Sequence, residues 1–210
     1  MSHYFDNDPN LKTRVKSIEF MVKSEKFSLF SDYGVFSKND LDTGSETLLN
    51  YVLSIPVSGK ILDIGCGIGT IGIVISKIIQ NINVDMTDVN ERAISLAKKN
   101  VEKYDLQSRA NVYTSNLYEK ITDIYDFILS NPPIRAGKKI IYEIFSGAFD
   151  HLSVNGMIFV VIRKSHGAPS AQKKLLEIFG NCDIVKRNKG YYVLRSIKKW
   201  FSIDFYWIFC

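Results

Sequence analysis

The four residues Asn131-Pro132-Pro133-Ile134 carry the pattern with the most chemical content in this chain. They follow an apolar run, 126–130, that is typical of a buried strand. Two consecutive prolines end a strand, because proline cannot donate a ladder hydrogen bond. The Asn131 side-chain carbonyl and a main-chain carbonyl held by proline could then accept two hydrogen bonds from the amino group of a planar substrate. A plain proline turn is the alternative interpretation.

A second pattern, ILDIGCGIGTIG at 61–72, predicts a short strand, a glycine-rich turn and a helix. Glycines let a ligand approach the backbone closely at a helix N-terminus. The spacing of Gly67, Gly69 and Gly72 also fits the dinucleotide fingerprint, so an oxidoreductase has to be considered. Asp63 argues against it, because a carboxylate there would repel a pyrophosphate but would suit the ammonium and sulfonium of S-adenosylmethionine.

Asp88 ends the next predicted strand, 83–88. An acidic residue at this place can bind both ribose hydroxyls of a nucleotide cofactor. Dinucleotides and S-adenosylmethionine share that feature, so Asp88 alone does not distinguish the two cofactors.

Taken in order, these motifs resemble the class I S-adenosylmethionine-dependent methyltransferases. The resemblance is closest to the RsmC-like group, which methylates guanine N2 in 16S ribosomal RNA, and to its short, single-domain bacterial members. Besides the two patterns above, the matching segments are Gly34-Val35-Phe36-Ser37, Asp42-Thr43-Gly44-Ser45, Arg135-Ala136-Gly137-Lys138 and Gly167-Ala168-Pro169-Ser170. The match extends from about residue 15 to about residue 199.

The resemblance implies roles for individual residues. Asn131, Pro132, Pro133 and Ile134 would form the catalytic segment. Substrate contacts would come from Phe36, Arg135 and Lys138. The residues expected to hold S-adenosylmethionine are Asp63, Gly65, Cys66, Gly67, Gly69, Asp88, Val89, Asn116 and Leu117.

Three positions bear on how those roles would be filled. Many relatives have Asp where this chain has Asn116, although an amide carbonyl can still accept a bond from the adenine amino group. Most relatives place an aromatic residue where Ile134 stands, so stacking on the target base must come from another residue, for which Phe36 is the candidate. Cys66 is expected to fill the turn rather than act as a nucleophile, since no basic partner is near it in sequence.

Composition is that of an ordinary globular protein: 210 residues, 46% hydrophobic and 23% charged. No apolar run is long enough to span a bilayer and the first residues lack a signal-peptide pattern, so we expect a cytoplasmic protein without membrane contact. Three cysteines and three histidines are scattered, which predicts neither a disulfide nor a metal site. We also expect a monomer.

Charge is divided unevenly along the chain. Residues 1–134 carry a net charge of −3, whereas 135–199 carry +9. A basic excess after the catalytic segment favours contact with phosphates, so ribosomal RNA or the small ribosomal subunit is the expected partner.

Periodicity predicts a hairpin at 15–31, a helix that Ser45 can cap, and then strands alternating with helices up to a final hairpin around Asn188-Lys189-Gly190. This pattern predicts an α/β fold: a doubly wound, mostly parallel seven-stranded Rossmann-like sheet with an antiparallel C-terminal hairpin. We divide the chain into an N-terminal extension (1–44), a catalytic domain (45–199) and an aromatic tail of unknown role (200–210).

Three functional classes are therefore open. The first is an N-methyltransferase acting on an exocyclic amine of a nucleic-acid base, with guanine N2 of small-subunit ribosomal RNA favoured. The second is a protein-glutamine or small-molecule amine methyltransferase, because the same pair of acceptors can hold an amide nitrogen. The third is a non-catalytic RNA-binding module, which the presence of Asp63, Asp88 and Asn131 disfavours.

Overall fold

An antiparallel hairpin precedes the main sheet. The structure is a computed structural model and describes residues 14–32, 41–133 and 137–199. The hairpin strands are β1 (Lys16–Val22) and β2 (Glu25–Ser31), which pair in register from Lys16 opposite Ser31 to Val22 opposite Glu25. Their inward-facing side chains are buried, as the alternating pattern predicts.

The main sheet has seven strands in the described part of the chain, in the spatial order β5-β4-β3-β6-β7-β9-β8. Strands β4, β5, β6 and β7 all run parallel to β3, and β9 is antiparallel to both β7 and β8. The strands are β3 (Gly59–Ile64), β4 (Ile82–Asp88), β5 (Ala110–Thr114), β6 (Tyr125–Ser130), β7 (Leu152–Arg163), β8 (Asp183–Asn188) and β9 (Tyr191–Ile197).

Helices cover both faces of this sheet. The helices are α1 (Thr43–Val52), α2 (Thr70–Ile78), α3 (Glu91–Lys103), α4 (Gly137–His151) and α5 (Ala168–Phe179), with a short 3-10 helix at Lys164–His166. Buried side chains of α1, α2 and α3 share one apolar cluster with the hairpin, and those of α4 and α5 share another. The predicted doubly wound fold with a C-terminal antiparallel hairpin is therefore confirmed.

The helix expected to be capped by Ser45 begins three residues earlier, at Thr43, and that part of the prediction is wrong. Asp42 is the N-cap, and its carboxylate accepts a 3.0 Å hydrogen bond from the Ser45 backbone N–H. A carboxylate satisfies this free N–H and also interacts favourably with the helix dipole, so Asp is preferred over a residue inside the first turn.

The three-part division of the chain stays a prediction. The tail 200–210 lies outside the described residues, as do the first 13 residues. Within the described part, the hairpin contributes Ile18, Phe27 and Leu29 to the same apolar cluster as α1 to α3.

Asn100 joins the hairpin to the glycine-rich turn. This fully buried side chain accepts a hydrogen bond from the Phe30 N–H (2.7 Å) and donates to the carbonyls of Phe30 and Ile68 (3.0 Å each). One amide on α3 thus fixes both the edge of β2 and the turn after β3. Neither link is visible in the sequence, because 70 residues separate Asn100 from Phe30.

We expect Asn100→Ala to lower the free energy of unfolding by about 2–4 kcal/mol, because three hydrogen bonds are lost and their partners remain partly buried. Urea denaturation measures the change. Lys99→Ala is the matched control: Lys99 is the exposed neighbour on α3, and its replacement should stay within about 0.5 kcal/mol of the parent. Equal effects of the two substitutions would contradict this role of Asn100.

Candidate active site

Three strand ends meet at the carboxyl edge of the sheet and form the candidate site. Strand β3 lies between β4 and β6, with Asp63 opposite Met86 on one side and Leu129 on the other. The Ser130 hydroxyl donates a 3.0 Å hydrogen bond to the Ile64 carbonyl and ties β6 to the end of β3. In parallel sheets of this kind ligands bind at this edge.

The glycine-rich turn after β3 is fastened to the end of β4. The N–H groups of Gly65 and Cys66 both donate to the Thr87 carbonyl, at 2.8 and 2.9 Å. Gly65, Gly67 and Gly69 have φ values of 73°, 57° and 84°. Residues with a Cβ are strained at such angles, so the turn requires glycine.

Asp88 is held from two sides at the end of β4. It is buried, one carboxylate oxygen accepts from the Gly67 N–H and the other from the Asn90 N–H, both at 2.9 Å. Backbone donors of this kind stabilise the ionised carboxylate and fix its position. The turn and the acidic residue are therefore one rigid unit.

Asp63 is buried beneath the turn and is only half satisfied. One carboxylate oxygen accepts from the Gly72 N–H at 2.9 Å, and the other has no hydrogen-bond partner among the described residues. Burial raises the pKa of Asp63 to about 7; the Gly72 hydrogen bond opposes the rise, and the charge of Asp88 adds to it. A cation placed beside the unpartnered oxygen would favour the ionised form.

A cleft of about 530 Å³ runs from the turn along the ends of β4, β5 and β6. Its walls are mostly apolar, with Asp88 at one side, which suits a nucleoside better than a phosphate group. The lining residues include Ile64, Gly65, Asp88, Val89, Asn116, Leu117, Ser130, Pro132 and Ile144. The structure thus brings five of the predicted cofactor residues into one cleft.

Asn116 presents its amide in a defined way at this cleft. Its side-chain N–H donates to the Glu119 carboxylate at 2.7 Å. The amide carbonyl is then the part of Asn116 that can accept a bond from a ligand amino group. Leu117 beside it has a positive φ of 48°, an uncommon conformation for a residue with a branched side chain.

The Asn131 side chain is oriented by α1. Its amide nitrogen donates to the Asp42 carboxylate at 2.9 Å and to the Ser45 hydroxyl at 3.0 Å. An ionised carboxylate only accepts hydrogen bonds, so the amide nitrogen must face Asp42. The Asn131 carbonyl oxygen is left as an acceptor for a substrate.

Gly44 packs directly on this amide. A Cβ added to Gly44 would lie 3.0 Å from the Asn131 carbonyl oxygen and 3.1 Å from its nitrogen. The segment 42–45 therefore caps α1 and positions Asn131. Asp42 and Ser45 accept hydrogen bonds from the Asn131 amide, and Gly44 leaves the space that this amide occupies. The sequence alone does not reveal this role of the motif, because no local pattern places residue 42 beside residue 131.

The Asn131-Pro132-Pro133 segment stands where three clefts meet. Pro132 and Pro133 line the 530 Å³ cleft, and Asn131 and Pro133 line a cleft of about 430 Å³ over the glycine turn that also contains Asp42 and Ser45. All three line a further cleft of about 320 Å³, beside Arg163 and Tyr191.

Other predicted site residues are placed differently. Phe36, Ile134 and Arg135 lie outside the described residues, so their roles stay predictions. Lys138 is exposed in the first turn of α4 and lines none of the three clefts above. Cys66 lines the turn, and burial raises the pKa of its thiol well above the usual range, which disfavours a nucleophilic thiolate.

The described residues contain neither a cluster of metal ligands nor a helix that could span a membrane. Within 14–32, 41–133 and 137–199, no three His, Cys, Asp or Glu side chains are grouped so that they could hold a metal ion. The helices in those ranges are all too short or too polar to cross a membrane.

Sequence comparisons identify relatives over most of the chain. The protein "Uncharacterized protein YbxB" of Bacillus subtilis is 38% identical over 198 residues, which are 93% of this chain and 98% of that protein. "Ribosomal RNA small subunit methyltransferase C" of Haemophilus influenzae is 37% identical over 141 residues, 65% of this chain and 42% of the relative. The chain spans about half the length of the curated methyltransferases C that it matches.

Structural comparison agrees with the observed fold. The Thermus thermophilus 16S rRNA N2 G1207 methyltransferase (RsmC), solved in complex with AdoMet and guanosine, superposes with a TM-score of 0.80 at 22% identity, over 91% of this chain and 52% of that one. The family model "Methyltransferase small domain" matches residues 26–195. The chain therefore belongs to the methyltransferase small domain family, as its motifs predict.

Proposed function

We propose that this protein is an S-adenosylmethionine-dependent N-methyltransferase that acts on the exocyclic amine of guanine, N2, in small-subunit ribosomal RNA. The observation that carries the proposal is the position of the Asn131 amide. Its amide nitrogen is bound by Asp42 and Ser45, and Asn131 lines both the 430 Å³ cleft over the glycine turn and the 320 Å³ cleft beside Tyr191.

The residues present fit S-adenosylmethionine. The unpartnered oxygen of Asp63 requires a cation or a hydrogen-bond donor, and the methionine ammonium is both. The space above Gly65 is open, since a Cβ added there would meet no atom within 4 Å. Asp88 would hold the ribose, while Val89, Asn116 and Leu117 would border the adenine.

Bound S-adenosylmethionine would supply a sulfonium-activated methyl group. The backbone at 65–69 and Asp63 would orient that methyl group toward Asn131. The proline-restricted backbone after Asn131 would hold the substrate amine on the opposite side of the methyl group. Orientation of two reactants at contact distance can contribute several kcal/mol to the lowering of the barrier. Methyl transfer in this arrangement needs neither a metal nor a covalent bond between substrate and enzyme.

The guanine amine needs help because its lone pair is delocalised into the ring. The Asn131 carbonyl and the Pro132 main-chain carbonyl would each accept one amine proton, which aims the nitrogen at the methyl group. Positive charge develops on this nitrogen during transfer, and two fixed acceptor dipoles stabilise it without reorganisation. The methylated amine carries a positive charge that makes it strongly acidic, so it would then lose one proton to water.

Ribosomal RNA as the substrate is supported by the relatives named ribosomal RNA small subunit methyltransferase C. The net charge of +9 on residues 135–199 is a second reason, because phosphate contacts need cations near the site. A base paired within a duplex could not reach the Asn131 carbonyl, so the target guanine must be single-stranded or flipped out.

The cofactor assignment predicts that calorimetry detects saturable binding of S-adenosylmethionine and none of NAD. Asp88→Ala should weaken S-adenosylmethionine by about 1.5–3 kcal/mol, because the ribose hydroxyls lose a charged acceptor. Asp150→Ala, which removes an exposed carboxylate on α4, is the control and should leave the affinity unchanged. Binding of NAD in place of S-adenosylmethionine would refute the assignment.

Asp63 predicts a pH dependence of stability in the ligand-free protein. Its folded-state pKa of about 7 lies above the value of 3.8 for a free carboxyl, so the folded state binds the proton more tightly. Stability should therefore fall as pH rises from 5 to 8, by about 3 kcal/mol, with most of the fall complete once the pH passes the folded-state pKa. Asp63→Asn should remove this fall and be more stable than the parent at pH 8.

Urea denaturation at pH 5 and pH 8 measures this difference, with Asp150→Asn as the exposed control. The same Asp63→Asn variant should bind S-adenosylmethionine more weakly, since the ammonium loses its counter-charge. If the parent and Asp63→Asn showed the same pH dependence of stability, the carboxyl would not be the group responsible.

The Asn131 acceptor predicts two separate losses of activity. Asn131→Ala should lower single-turnover methyl transfer to ribosomal RNA on the order of 100- to 1000-fold at saturating cofactor, with little change in folding. Gly44→Ala should lower the rate of methyl transfer about tenfold or more, because the added Cβ would displace the Asn131 amide. The helix itself should gain about 1 kcal/mol from the same change, since alanine has a higher helix propensity than glycine.

Asn50→Ala is the matched control for Gly44→Ala, because it improves helix propensity at an exposed position of α1 without touching Asn131. It should retain the parent rate. A folded Asn131→Ala variant within about threefold of the parent, under 1 kcal/mol, would exclude the acceptor role.

A further inference from the structure

The 320 Å³ cleft lies on the side of Asn131 that the proposed cofactor residues do not occupy. Besides Asn131, Pro132 and Pro133, its lining includes Ile141, Arg163, His166 and Tyr191. Asp63, Asp88 and the glycine turn are absent from that lining. It is the one cleft of the three described above that joins the Asn131 acceptor to a cation and an aromatic ring.

Arg163 and Tyr191 form a cross-strand pair at the mouth of this cleft. They are directly opposite each other at the carboxyl end of β7 and the start of β9, and the guanidinium carbon lies 5.9 Å from the centre of the tyrosine ring. The Lys164 N–H donates to the Gly190 carbonyl at 2.7 Å, which ties the end of β7 to the turn before β9. Arg163 is exposed, and Tyr191 is half-buried.

We propose that this cleft receives the target guanine, with the Tyr191 ring against the base and the Arg163 guanidinium binding O6 and N7. The inference rests on the proposed function and adds the residues that would select guanine. It also names a source for the aromatic contact that Ile134 cannot provide.

The hydrogen-bonding groups of guanine match the two ends of the cleft, which are the Asn131 and Pro132 carbonyls at one end and Arg163 at the other. N2 carries two donor hydrogens, which match the Asn131 and Pro132 carbonyls. O6 and N7 are two adjacent acceptors at the opposite side of the ring system, and a guanidinium is the side chain that most often binds this pair. Adenine has an amino donor in place of O6, so Arg163 would disfavour it.

The spacing also fits a base between the two ends. Asn131 directly follows β6, and Arg163 ends β7, the neighbouring strand in the sheet. Ser130 pairs with Val160, so Arg163 lies two residues farther along β7 than the position beside Asn131. One strand spacing and two residue rises separate the two backbones by about 8 Å, a distance that a base and the Arg163 side chain can fill. Lysines that bind only phosphates would not contact the edge of the base and so could not select guanine.

A second Arg–Tyr pair in the same hairpin provides a matched control. Arg187 on β8 is opposite Tyr192 on β9, with the guanidinium carbon 5.2 Å from the ring centre. Consecutive residues of a strand face opposite sides of the sheet, so Tyr191 and Tyr192 diverge. Neither Arg187 nor Tyr192 lines the 320 Å³ cleft.

The test is the affinity of guanosine, measured by ligand-observed NMR with saturating S-adenosylhomocysteine, for the parent and for variants of both pairs. Arg163→Ala should weaken guanosine at least tenfold, and Tyr191→Ala should weaken it too, while Tyr191→Phe, Arg187→Ala and Tyr192→Ala should match the parent. For the parent, 7-deazaguanosine, which lacks the N7 acceptor, should bind at least fivefold more weakly than guanosine. For Arg163→Ala the two nucleosides should bind equally.

An unchanged guanosine affinity in Arg163→Ala would overturn the inference, as would an equal loss in Arg187→Ala. Methyl transfer to ribosomal RNA separates this failure from failure of the proposed function. If the parent and Arg163→Ala both methylate guanine N2 with the same KM, only the Arg163 inference falls. If the parent methylates a glutamine peptide and no RNA, the proposed function falls as well.

Discussion

Parallel pairing of β3 with β4 on one side and β6 on the other is the constraint on which the candidate site depends. It brings three strand ends to one edge, and the hydrogen bonds from Gly65 and Cys66 to Thr87 and from Ser130 to Ile64 lock those ends together. Every proposed contact starts from this edge. A slip of one residue in either pairing would turn Asp63 to the opposite face of the sheet.

Within this frame the polar side chains are set by contacts that are distant in sequence. Asp42 caps α1 and at the same time orients the Asn131 amide, so helix formation and the geometry of the acceptor are coupled. Asn100 similarly couples the N-terminal hairpin to the glycine turn. The hairpin and α1 therefore act on the site through single hydrogen-bonding side chains, while the sheet provides the rigid base.

The buried carboxyl of Asp63 destabilises the ligand-free protein when it is ionised. A buried carboxylate with an oxygen that has no partner among the described residues is unfavourable when ionised, and the same burial raises the pKa of Asp63. A cationic ligand would remove the cost on binding. Arg163 and Tyr191 present a different arrangement in the 320 Å³ cleft, where an exposed guanidinium lies over a tyrosine ring and a backbone hydrogen bond from Lys164 to Gly190 joins their two strands.

Apolar periodicity and the positions of glycine and proline act locally, so the sequence alone predicts the order and type of the elements, and the predicted strand 83–88 agrees with β4 to within one residue. The sequence also places Asp63, Asp88 and Asn131 in or directly after predicted strands, and parallel strands align their carboxyl ends at one edge of a sheet. The tertiary structure was needed to show that Asp42 caps α1 in place of Ser45, that Asp42 orients Asn131, and that Tyr191 lines a cleft together with Asn131. The cap is a local contact between Asp42 and Ser45, but Asp42 and Asn131 are 89 positions apart, and Tyr191 and Asn131 are also distant in sequence. No local pattern records which distant side chains packing brings together.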